Sequence, residues 1–114
     1  MIYMPEEMQV ETRQPDSFGG KLFLCHMMPK EERPANQRLY AVATLEPNTT
    51  LHYHMHSGES ESYYFLSGKG IYNDNGKEIE IKPGMYTYTP SGTGHGLVNT
   101  GTEPIVFIAS IVKD

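Results

Sequence analysis

The chain is 114 residues long with 38% hydrophobic residues, enough for one compact domain with its own core. Its formal net charge is −5 and it has no basic run, which argues against a nucleic-acid or anionic-membrane partner. No apolar run approaches the roughly 20 residues of a membrane span, and the single cysteine, Cys25, excludes an internal disulfide. The first residues lack the basic start and apolar stretch of a signal peptide, so a reducing cytoplasm is the expected compartment.

In chain order, residues 1–17 mix Pro5 and Pro15 with charges, and an irregular N-terminal arm with one short helix near 6–10 is expected. A single β-barrel domain is expected over 18–114. Its first strand follows Gly19-Gly20 and runs to Cys25, read as a buried structural thiol in an apolar run. His26 precedes a Met-Met-Pro turn and receives no role. Residues 29–38 carry two prolines and read as an exposed loop. Strands are then expected at 39–45, 50–56, 62–66, 70–73, 78–82, 85–89, 96–99 and 105–112. Turn signals such as Glu46-Pro47-Asn48, Lys82-Pro83-Gly84 and Pro90-Ser91-Gly92 separate most of them. Asn75-Gly76 between two short strands is a hairpin signal, because both residues tolerate positive φ. Eleven glycines and eight prolines fit many short strands joined by turns, an all-β antiparallel sandwich or barrel.

Four of the five histidines stand out. His52, His54 and His56 alternate along one strand, so they share a face, with Leu51, Tyr53 and Met55 opposite. Taken alone, the strand fits three imidazoles facing water over an apolar inner face. Glu61 follows after a turn long enough to lay its carboxylate on the neighbouring strand beside His54 and His56. His95 arrives behind Gly92-Thr93-Gly94, which leaves backbone room around its imidazole. Three imidazoles and a carboxylate form a donor set for a borderline divalent ion (Fe, Mn, Ni, Co, Cu or Zn), with positions left open for water or substrate.

The segment resembles the first motif of the cupin superfamily, Gly-x5-His-x-His-x4-Glu-x6-Gly, here Asn48, His54, His56, Glu61 and Gly68. The second motif, Gly-x5-Pro-x-Gly-x2-His-x3-Asn, matches as Gly84, Pro90, Gly92, His95 and Asn99. The one departure is Asn48 for Gly, and Asn is the next most tolerant residue in a left-handed turn. The short spacer, residues 69–83, is like that of the compact single-domain members.

The resemblance implies an antiparallel double-stranded β-helix, or jelly-roll barrel. It also implies one divalent metal ion per chain on His54, His56, Glu61 and His95. The outward Leu51, Tyr53 and Met55 would then need cover, which points to a homodimer. His52 is either a site residue beside the metal or a wall residue. Tyr63 shares the face of Glu61 and either offers a phenol to the cavity or packs as an aromatic core residue. Tyr40, Tyr64, Tyr72, Tyr86 and Tyr88 read as packing. Two functions follow from the resemblance. One is a metal-dependent enzyme on a small organic molecule, of dioxygenase, decarboxylase, lyase or sugar-isomerase type, with His52 as acid or base. The other is a non-catalytic metal-dependent sugar or metabolite binding protein. The complete ligand set favours the enzyme.

Overall fold

In a computed structural model describing residues 1–114, the alternating apolar pattern resolves into ten strands. They are β1 (Gln9–Arg13), β2 (Leu22–His26), β3 (Gln37–Leu45), β4 (Thr50–Met55) and β5 (Glu59–Ser67), then β6 (Gly70–Asp74), β7 (Lys77–Glu80), β8 (Tyr86–Thr89), β9 (Gly94–Asn99) and β10 (Ile105–Lys113). One sheet has the order β1-β2-β3-β10-β5-β8 and the other β4-β9-β6-β7, and the pairings are antiparallel. Consecutive strands β3 to β6 pass back and forth between the two sheets, which makes the fold a double-stranded β-helix. No helix is long and apolar enough to cross a membrane.

Turn chemistry sets the corners. Asn75 and Gly76 adopt φ of 50° and 100°, and the Gly76 N–H donates to Asn73 Oδ1 at 2.7 Å, closing the β6–β7 hairpin. Asn48 has φ 57°, so it takes the left-handed turn in place of glycine. The core lies between the sheets, where β3 and β10 bury alternate residues along their length. Phe65, Phe107, Tyr72 and Leu97 meet there, each about 1% exposed. Burying a large apolar side chain of this kind contributes about 1.5–3 kcal/mol.

Several expectations need correction. The N-terminal arm is not irregular: after a 3-10 turn at Pro5–Glu7, β1 pairs with β2 from Gln9↔His26 to Arg13↔Leu22. The short helix expected near 6–10 is present only as that 3-10 turn, and a strand follows it. β1 is an edge strand held by main-chain pairing with little burial, and its exposed charges both guard the edge and mask the strand pattern in the sequence. The 29–38 loop holds a second 3-10 turn, Lys30–Glu32, and β3 starts before its end. Cys25 is only half-buried, its sulfur 3.9 Å from that of Met8. Tyr40, Tyr64, Tyr86 and Tyr88 do not fill the core: they stand on the outer face of the larger sheet, between 38% and 63% exposed.

Candidate metal centre

The geometry of the site begins with a bulge in β4. Thr50 and Leu51 pair with Val98 and Leu97, whereas His54 and Met55 pair with His95 and Gly94. His52 and Tyr53 therefore stand opposite the single residue Gly96. A Cβ on Gly96 would lie 3.0 Å from the Leu51 carbonyl oxygen and 3.1 Å from the Tyr53 nitrogen, so the bulge requires glycine there. The extra residue shifts the phase of the strand. Leu51 packs on the core instead of facing outward, while Tyr53 and Met55 remain exposed at 46% and 58%. The expected apolar outward face thus loses Leu51.

The bulge also sets His54 directly across from His95. His56 lies just past the end of β4, held by its N–H to the Thr93 carbonyl at 3.0 Å and its carbonyl to the Gly92 N–H at 2.8 Å. Glu61 does not lie on a strand neighbouring β4. It sits on β5 in the facing sheet, between Ile111 and Thr89, and its carboxylate crosses the interior.

All four side chains meet. His95 Nε2 lies 3.1 Å from His54 Nε2, 3.1 Å from His56 Nε2 and 2.9 Å from Glu61 Oε1. His56 Nε2 lies 3.0 Å from the same oxygen, and His54 Nε2 3.9 Å from it. One donor atom from each residue falls within 4.8 Å of the others. A ring nitrogen carries at most one hydrogen, so His95 Nε2 cannot serve three close partners through protons alone. Donors about 2.1 Å from a shared divalent ion, at right angles, stand about 3.0 Å apart, close to the short contacts seen here.

The far side of each ring supports that reading. His54 Nδ1 donates to the His52 carbonyl at 2.8 Å, which leaves a lone pair on Nε2. His95 Nδ1 faces the Tyr72 hydroxyl at 2.8 Å and the Thr89 hydroxyl at 3.1 Å. His56 Nδ1 faces a Glu59 carboxylate oxygen at 3.6 Å, and Arg38 holds that carboxylate with two bonds of 2.6 and 2.9 Å. Burial alone would raise the Glu61 carboxyl, but the imidazoles of His54, His95 and His56 that face it outweigh burial and hold the pKa at about 2. Glu61 in turn raises the pKa of His54, against the effect of its partial burial.

Tyr72 packs in the core as expected, and its hydroxyl also orients a site imidazole. Its position two residues after Gly70 gives no sign of this in the sequence: β6 reaches His95 only by pairing with β9. Tyr72→Phe should weaken metal binding about tenfold, the lower end for an outer partner, since Thr89 still faces His95. A chelator-competition titration measures it, and unchanged affinity would show that Thr89 alone orients the ring.

His56, Glu61 and His95 are buried, but the His54 side chain is 45% exposed, so the cluster opens on one side. It opens on a cavity of about 770 Å³ that His52, His54, His56, Glu61 and Tyr63 all line. His52 is exposed on its wall. Tyr63 is buried, its ring 4.9 Å from that of His95 and 4.6 Å from that of Phe107, and burial pushes its phenol well up in pKa. His26, to which no role was assigned from the sequence, lines the cavity as well.

Two facing antiparallel sheets with three imidazoles and one carboxylate converging between them define a double-stranded β-helix with a site suited to a divalent ion. The chain belongs to the cupin family, whose Cupin domain matches residues 41–111. It is similar to an oxalate-binding protein of Thermotoga maritima, 39% identical over 93 residues that cover 82% of this chain and 77% of that protein. A crystal structure from Thermotoga maritima, described as a predicted oxalate decarboxylase, superposes with a TM-score of 0.88 at 35% identity over all of both chains. A glucose-6-phosphate isomerase of Thermococcus gammatolerans is 41% identical over 106 residues, covering 82% of this chain and 56% of the isomerase. The chain thus spans little more than half of that isomerase.

Proposed function

We propose that this protein binds one divalent metal ion per chain at His54, His56, Glu61 and His95, and through it holds a small carboxylic acid for metal-dependent turnover. The convergence of three Nε2 atoms and Glu61 Oε1 carries the reading. A divalent ion bound there would supply a Lewis acid that polarises a carboxylate or carbonyl oxygen. The likeness to an oxalate-binding protein and to a structure described as a predicted oxalate decarboxylase supports a carboxylic acid as the ligand.

The chain's own residues do the rest. The buried wall of Tyr63 and Phe107 keeps the inner side of the cavity dry. His52 stands at the exposed wall, where an imidazole can take or give a proton near neutral pH. The Tyr63 phenol, held protonated by burial, is a donor rather than a base.

The test is reconstitution of the metal-free protein with Mn, Fe, Co, Ni, Cu and Zn in turn. Elemental analysis should give one ion per chain, and calorimetry should show oxalate binding only to loaded protein. No uptake of any of these metals, or oxalate binding independent of metal, would overturn the reading. His52→Ala should keep the metal and lower turnover by about 100-fold or more if His52 moves a proton. Turnover within twofold of the parent assigns His52 to the wall.

A further inference from the structure

The charges of the chain are sorted between the cavity and the rest of the surface. All three arginines and two of the six lysines, Lys30 and Lys113, line the cavity, together with His26. Of the fourteen acidic residues only Glu11 and Glu61 do so. In a chain of net charge −5 this is a cationic chamber in an acidic protein.

Part of that charge is already neutralised. Arg38 is held by Glu59, and Arg13 donates to Glu11 at 2.6 Å. Glu11 also faces His26 Nε2 at 2.9 Å, so its carboxylate already has two partners. Lys30 and Arg33 have no carboxylate partner. Arg33 donates one N–H to the Arg38 carbonyl at 2.9 Å, while its Nε is buried and finds no acceptor in the protein. His26 Nδ1 is buried without a partner too. Three buried side-chain polar atoms in the whole chain lack a partner, and two of them are in this cluster. Buried polar atoms without partners are uncommon and call for a specific reason. The same His26, Lys30 and Arg33, with Glu11 and Glu7, line a smaller adjoining cavity of about 460 Å³.

The sheet register locates this cluster relative to the metal centre. His26 pairs with Ala41, Ala41 with Ala109, and Ala109 with Tyr63, two residues from Glu61. His26 is therefore three strand spacings from Tyr63, about 14 Å across the sheet. The residues in between, Ala41 and Ala109, are small, and Ala109 lines the cavity.

We propose that His26, Lys30 and Arg33 form a second anion subsite, so that the ligand is an acid that chelates the metal at one end and carries another carboxylate or a phosphate at the other. This rests on the metal-bound carboxylic acid proposed above and makes oxalate only a fragment of the ligand. The volume agrees, since about 770 Å³ suits a ligand far larger than a two-carbon acid.

The experiment compares probes that share a chelating head and differ at the far end. Calorimetry on Mn-loaded protein sets 2-hydroxyadipate against 2-hydroxyhexanoate, and 6-phosphogluconate against gluconate, pairs whose chains are long enough to reach across the chamber. At least one doubly anionic member should bind about tenfold more tightly than its partner, as a charge-assisted contact allows. The pair with the larger gap tells carboxylate from phosphate. Arg33→Gln and, separately, Lys30→Gln should reduce that gap to about twofold while leaving 2-hydroxyhexanoate and gluconate unchanged. Lys77→Gln, outside the cavity, should leave the gap intact. Equal affinity within both pairs would overturn the subsite, as would Arg33→Gln weakening both members of a pair alike. If the protein takes up no metal, the proposed function fails by itself, and the subsite is then read on the metal-free protein. Inorganic phosphate should in that case shift the amide resonances of His26, Lys30 and Arg33, and the absence of any shift would end the idea.

Discussion

Glu61→Gln should reduce metal affinity by at least about 100-fold while leaving the fold intact. The glutamine keeps the size of the side chain and loses the charge that faces all three imidazoles. Glu61 Oε1 stands 2.9 Å from His95 Nε2 and 3.0 Å from His56 Nε2, so no other carboxylate can replace it without moving β5. Competition against a chelator of known strength measures the loss, and circular dichroism confirms the fold. An affinity within fivefold of the parent would mean that the imidazoles bind metal without the carboxylate. The metal-free protein gives an independent reading. A carboxylate whose folded pKa is depressed, here to about 2 from 4.5, adds stability that is fully present above about 4.5 and is lost as pH falls toward 2. In Glu61→Gln that acid-dependent part of the stability should be gone.

Strand positions and turns were legible because each rests on local chemistry. Asn75-Gly76 is a hairpin since both residues take positive φ without strain, and β10 was legible as an apolar run because it lies in the middle of its sheet between β3 and β5. The four donors were legible as a set, since two spaced motifs carry them. What failed was any feature decided by pairing. The bulge at His52-Tyr53 shifts Leu51 to the inside, and its only sign is Gly96, more than forty residues away in the chain and directly across in the sheet. β1 is a strand because β2 offers it an edge, a fact that five residues with two charges among them do not announce. Tyr72 and His26 acquire their surroundings from β9 and β3, partners that no short-range pattern names.

The second large effect lies in the core behind the site. Phe107→Ala should destabilise the protein by about 3–5 kcal/mol, a large share of the roughly 5–15 kcal/mol that holds a domain folded. Phe107 is 1% exposed, on the central strand β10, with its ring 4.6 Å from Tyr63 and 5.6 Å from Phe65. Truncation removes its contacts with both rings, and the small neighbours Ala41, Ala43 and Ala109 cannot expand to fill the space. Phe107→Leu keeps most of the volume and should cost less than about 1.5 kcal/mol. Urea unfolding distinguishes the two, with the midpoint shifted and the slope unchanged if the native and unfolded states keep their extents. The effect should also reach the metal. Tyr63 lies between Phe107 and His95, its ring 4.9 Å from the imidazole, so a tilt into the new space would loosen His95. Phe107→Ala should therefore weaken metal binding as well, and by less than Glu61→Gln does, because all four donors remain. A loss under about 1 kcal/mol would mean that the two sheets close over the gap, and that the aromatic cluster is not what sets their spacing.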